Sequence, residues 1–140
     1  MTGINASSMR RRIDAAMGRT PCDLVFRDVR YLDVFHGTWR RGDVSVADGY
    51  VVGLESGLDA KRIVDGKGRT LVPGFIDAHV HVESSMMVPA EFERAVVPRG
   101  TTTVLCDPHE IANVLGRSGL EAFLDAADEL RLDMRVMLSS

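Results

Sequence analysis

The stretch Leu71-Val-Pro-Gly-Phe-Ile-Asp-Ala-His-Val-His-Val-Glu-Ser-Ser85 limits what this chain can fold into more than any other. A Pro73-Gly74 turn launches an apolar run from Phe75 to Val82, and Asp77, His79 and His81 interrupt it at every second position. Residues two apart in a strand point to the same face. Asp77, His79 and His81 therefore share one side, and Ala78, Val80 and Val82 share the other. That division suits a strand of a parallel barrel whose end holds a reacting centre while its outer face packs on helices.

Beyond this stretch the chain alternates between helix and strand. Val88-Pro89-Ala90 opens a helix to about Pro98, with Phe92, Ala95 and Val96 at helical spacing and Gly100 as its stop. Thr101 to Cys106 is β-branched and apolar and reads as a second strand. Asp107 suits the N-cap of a further helical piece, with Pro108 at its first position and Glu110 at its third. Ser118 or Gly119 begins a longer helix to about Leu130 with Leu120, Phe123, Leu124 and Ala127 as its core stripe. Met134 to Leu138 is a third strand. Strand, helix, strand, helix, strand opens a parallel α/β fold.

The residues before the stretch have a different period. Ser7 or Ser8 is expected to cap a short helix to about Met17, with Ile13, Ala16 and Met17 as its apolar side. Strand-type residues run from Cys22 to Leu32, and Asp33 to Gly37 reads as a short strand and turn. Trp39 to Ala47 and Tyr50 to Leu54 flank Asp48-Gly49, a strong hairpin signal. Arg62–Asp65 and Thr70–Val72 complete a set of short strands. Their spacing predicts a small antiparallel sheet or sandwich.

Composition narrows the function classes. The chain has 140 residues, 45% hydrophobic and 26% charged, which is a globular balance and the size of one domain or parts of two. A net charge of -3 argues against a nucleic-acid scaffold. Arg10-Arg11-Arg12 reads as a solvated helix face. No apolar run approaches the ~20 residues of a membrane span, and no signal peptide is visible. The two cysteines, Cys22 and Cys106, are isolated and read as reduced thiols, which points to the cytoplasm.

The candidate site residues each carry two readings. His79 and His81 can both reach one metal ion from a strand end, or form hydrogen-bonded core histidines. Asp77 either orients a ligand or bonds structurally. Glu83 continues the parity past the strand and faces substrate or metal, or is a solvated loop acid. His109 and Glu110 come after the second strand at the same rim, and contact substrate or relay protons. Alternatively Glu110 closes a capping box and His109 is an exposed loop residue. Ser84 and Ser85 read as turn residues, and His36 as a surface residue. His81-Val-Glu83 imitates half of the zinc nucleoside deaminase motif, but no Cys-x-x-Cys accompanies it.

Pro73-Gly-Phe-Ile-Asp-Ala-His-Val-His81 resembles the first-strand signature of the amidohydrolase superfamily, metal-dependent hydrolases and deaminases on a (β/α)8 barrel. The continuation His79-Val-His-Val-Glu-Ser-Ser-Met-Met87, Arg99-Gly-Thr-Thr-Thr103 and Asp107-Pro-His-Glu-Ile-Ala-Asn-Val-Leu-Gly116 resembles the bacterial adenine deaminases. The resemblance implies an α/β chain in three parts. Residues 1–20 form an arm and short helix, 21–72 part of a small antiparallel β-sandwich domain, and 73–140 the first strands and helices of a TIM-type barrel, incomplete in this chain. It implies His79 and His81 as metal ligands, Glu83, His109 and Glu110 as catalytic candidates, and adenine as the small-molecule substrate. Water would replace the C6 amino group, giving hypoxanthine and ammonia. The cofactor would be one or two divalent ions, manganese or iron first and zinc next. The full-length form would be a homo-oligomer, with neither nucleic acid nor membrane as partner. Further ligands would lie beyond Ser140, so the chain reads as an N-terminal part, inactive alone. The alternatives are another amidohydrolase (an amino-sugar-phosphate deacetylase or cyclic-amide hydrolase) and a truncated non-catalytic chain.

Overall fold

The computed structural model describes residues 5–138 and divides into two units, one ending at Pro73 and one starting at Gly74. In the first unit, helix α1 spans Ala6–Ala16. Its N-cap is Asn5 rather than Ser7 or Ser8, because the Asn5 carboxamide oxygen accepts the Ser8 N–H at 2.8 Å and also binds the Ser7 hydroxyl. Its buried residue is Ala15, whereas the expected apolar side is open, with Ile13 50% and Met17 63% exposed. Charge fixes the helix in place of that stripe. Arg11 reaches Asp23 at 2.6 Å and Asp48 at 2.7 Å, which lets the small Ala15 face pack with Cys22, Val25 and Ala47.

The sheet of this unit contains β1 (Cys22–Asp33), β2 (Thr38–Ala47), β3 (Tyr50–Gly53), β4 (Ala60–Asp65) and β5 (Thr70–Leu71). Residues 34–37 form a turn and not a strand, since the Asp33 carboxylate accepts the backbone N–H groups of Phe35 and His36. The Asp48-Gly49 hairpin joins β2 to β3 with both residues at positive φ, 50° and 76°. The sheet is mixed, correcting the antiparallel expectation. The order is β3-β2-β1-β4, and both β4 and β5 run parallel to β1. Residues 54–59 carry the chain across to the far side of β1 instead of folding it straight back, so β4 arrives in β1's direction. An apolar hollow of about 430 Å³ opens on this sheet against Phe26, Tyr31, Val44, Leu71 and Pro73. Its acid, Asp33, is committed to His36 and Arg40.

The second unit runs β6 (Phe75–Val80), a 3₁₀ turn (Glu83–Ser85), α2 (Pro89–Val96), β7 (Thr101–Cys106), α3 (His109–Leu115), α4 (Arg117–Glu129) and β8 (Asp133–Val136). The three strands are parallel in the order β6-β7-β8, the arrangement that helical crossovers impose. Val82, Phe92, Val104, Cys106, Phe123, Leu132 and Met134 form the core. Burying a side chain the size of Phe92 or Phe123 contributes roughly 1.5–3 kcal/mol. The first strand is shorter than the expected Phe75–Val82, and Leu124, expected in the core stripe, is 47% exposed instead. Among the described residues no helix is long and apolar enough to cross a membrane.

Candidate metal centre

Parallel pairing decides which residues meet. Val80 of β6 is in register with Cys106 of β7, and the Asp107 N–H donates to the Val80 carbonyl at 3.0 Å just past the ladder. His81 and Asp107, the next residues on each strand, therefore stand side by side at the carboxyl ends of the strands, where α/β folds place their sites. The turn after β6 brings Glu83, and the start of α3 brings His109 and Glu110. The sequence candidates His79, His81, Glu83, His109 and Glu110 thus gather at one rim of one sheet. His36 lies in the other unit, paired to Asp33.

The two motif histidines meet through their Nε2 atoms, 3.1 Å apart. His81 Nδ1 lies 2.8 Å from the Asp107 main-chain oxygen. A carbonyl only accepts, so His81 carries its proton on Nδ1 and turns the lone pair of Nε2 toward His79. A ring nitrogen held in that state by a hydrogen bond to the other is the usual preparation for metal ligation. The His81 and His109 rings meet edge to face at 4.6 Å between centroids. His109 Nδ1 approaches Asp107 Oδ2 at 3.3 Å.

The acids depart from their sequence readings. Glu110 closes no capping box, because the N-cap position of α3 is Pro108 instead of Asp107, and Pro108 offers no side-chain cap. The Ser84 hydroxyl donates to Glu110 Oε1 instead. Glu83 satisfies an orphan donor of the helix from across the rim: its Oε1 accepts the Ile111 N–H at 3.1 Å. It is half-buried rather than solvated, and its Oε2 is buried without a partner. Asp77 Oδ1 accepts the backbone N–H of His79 at 3.2 Å and so acts on that residue's main chain. Asp107, read from sequence only as a helix cap, is the residue that reading missed. The available signal was its place directly after the neighbouring parallel strand.

Burial pushes the Asp107 carboxyl up, but the His109 hydrogen bond and the nearby His109, His81 and His79 rings outweigh it and hold the group below the ordinary carboxylate range. Beside it, burial pushes the Cys106 thiol up to about 11. Cys106 is therefore a buried thiol that is protonated near neutral pH.

A divalent cation suits this donor set. Two nitrogens each about 2.0–2.1 Å from one ion can be no more than roughly 4.2 Å apart, and the observed pair is closer than that. Ligand atoms of His79, His81 and Asp107 lie within 4.8 Å of one another, as do those of His81, His109 and Glu110. Asp107 Oδ1 and Glu83 Oε2 are buried oxygens with no hydrogen-bond partner, and imidazole with carboxylate suits manganese, iron and zinc.

Known proteins bear on the same region. Residues 70–140 match the amidohydrolase family. The chain is 47% identical over 136 residues to the adenine deaminase of Listeria monocytogenes, covering 97% of this chain and 23% of that protein. It is 48% identical over 133 residues to the adenine deaminase of Cereibacter sphaeroides, covering 95% of this chain and 24% of that one. The chain thus spans about a quarter of the length of these curated relatives. Among solved structures, the N-acyl-D-glutamate deacylase of Bordetella bronchiseptica, complexed with zinc and a phosphonate inhibitor, aligns with a TM-score of 0.60 at 23% identity, over 84% of this chain and 29% of that one. The L-hydantoinase (dihydropyrimidinase) of Arthrobacter aurescens aligns with a TM-score of 0.58 at 21% identity, over 82% and 27%. At such identities the likeness is one of fold.

Proposed function

The chain belongs to the amidohydrolase family, and on that premise we propose that its second unit supplies the first part of the metal centre of an adenine deaminase. The observation that carries the reading is the facing pair of Nε2 atoms, 3.1 Å apart, with the His81 proton fixed on the other nitrogen by Asp107. Identity of 47% and 48% to adenine deaminases, extending through both units, supports adenine over an amide as the substrate. β6, β7 and β8 are the first strands of a (β/α)8 barrel starting at residue 73, and residues 21–72 contribute to a smaller β domain.

In this reading His79 and His81 hold the ion, manganese or iron before zinc, as one of one or two. When bound it supplies a water acidic enough to act as hydroxide near neutral pH. The overall reaction replaces the C6 amino group of adenine with oxygen and releases ammonia. In this reading Glu83, with one oxygen bound to the α3 backbone and the other free, takes a proton. His109, against both His81 and Asp107, and Glu110, held by Ser84, pass one toward the leaving amine in the same reading.

A chimaera tests this: the matching 136-residue segment of the Listeria monocytogenes adenine deaminase is replaced by this chain. Manganese-loaded, it is expected to release ammonia from adenine, and His79→Ala with His81→Ala to abolish the release and the metal content together. A folded chimaera that retains metal and activity without both histidines contradicts the reading.

A further inference from the structure

Asp107 lies outside the proposed ligand pair, yet its atoms meet both histidines. Its main-chain oxygen fixes His81, and one carboxylate oxygen lies within 4.8 Å of a ring nitrogen from His79 and one from His81. The carboxylate is only partly used. Oδ2 faces His109 at 3.3 Å, while Oδ1 is buried and has no hydrogen-bond partner. Leaving a buried acceptor bare costs about 1–3 kcal/mol, and more when it is charged. A cation bound within reach of that oxygen removes that cost.

Its position is also firm. Its N–H is bound to the Val80 carbonyl, and Pro108 behind it is fully buried. Glu83 carries the other bare oxygen but falls in neither cluster of ligand atoms found among the described residues, and its second oxygen is spent on Ile111. We infer that Asp107 is a third ligand, so that His79, His81 and Asp107 of this chain hold one divalent cation between the ends of β6 and β7. The inference rests on the proposed metal centre.

The test is binding of manganese(II) to the folded chimaera, in which this chain replaces the matching segment of the Listeria monocytogenes enzyme, read from the electron paramagnetic resonance of the free ion, together with the cobalt(II) absorption spectrum at saturation. The parent chimaera is expected to bind manganese, and His79→Ala with His81→Ala to lose it. Asp107→Asn is expected to weaken binding at least about tenfold and to change the cobalt spectrum, whereas Asp77→Asn changes neither. If circular dichroism shows that Asp107→Asn does not fold, Asp107→Ser takes its place. Unaltered binding and an unaltered cobalt spectrum in the Asp107 variant, beside loss of binding in the histidine variant, overturn the third ligand and leave the histidine pair standing. Weaker binding with an unchanged spectrum also overturns it, because a merely structural aspartate gives that result. A parent that binds no manganese, or a histidine variant that binds as the parent does, overturns the metal centre itself.

Discussion

Glu83 uses its two oxygens differently, and the difference can be measured. Oε1 accepts the Ile111 N–H, one of the donors that a helix start leaves unpaired, while Oε2 is buried without a partner. Glu83→Ala removes the first interaction and Glu83→Gln keeps an oxygen in its place. Loss of such a cap costs about 1 kcal/mol, which speeds exchange of the Ile111 amide about fivefold. Glu83→Gln should leave that rate near the parent's. Equal exchange in Glu83→Ala would show that the bond contributes nothing. At this scale the sequence was informative where spacing decides. His79 and His81 are recognisable because a strand's period of two puts them on one face. The role of Asp107 was hidden because Asp-Pro before a helical run already has a sufficient explanation as a cap. Only the register of β7 against β6 brings it to His81.

At the scale of elements, α1 is held to its sheet by charge more than by apolar contact. Asp23 accepts from Lys61, from the Asp48 backbone N–H and from Arg11, and these bonds hold its carboxyl well below the usual carboxylate range. A depressed carboxyl stabilises the fold fully above its unfolded value of about 3.9, and the contribution is lost as pH falls through the lower folded value. Asp23→Asn should therefore be less stable than the parent at pH 7, with the gap closing progressively below about pH 4. Trp39, the one tryptophan, lies in β2 and reports urea unfolding of this unit. A gap that persists unchanged down to pH 2 would contradict the assignment. Turns and helices were largely legible here, since Asp48-Gly49 and Gly100 mark their boundaries chemically. The direction of β4 and β5 was not, because side-chain pattern records which face is buried and not which way a neighbouring strand runs.

At the scale of the whole molecule, one chain carries two units of different design among the described residues, a mixed sheet with helix α1 and a parallel layer of strands alternating with helices. The clustered histidine and acid side chains of the proposed metal centre lie in the second, and the identity to adenine deaminases runs through both. Fold class was readable from the alternation of strand and helix periods after Phe75. Substrate was not readable from any period, because imidazole pairs on a first strand serve amide hydrolysis as well as deamination. The most direct measurement compares adenine with a cyclic amide, hydantoin, as substrates of the manganese-loaded chimaera with the Listeria monocytogenes enzyme. Adenine should be deaminated to hypoxanthine with one ammonia per turnover, and hydantoin should be left intact. Ring opening of hydantoin with no ammonia from adenine would contradict an adenine deaminase and place the chain among the cyclic-amide hydrolases.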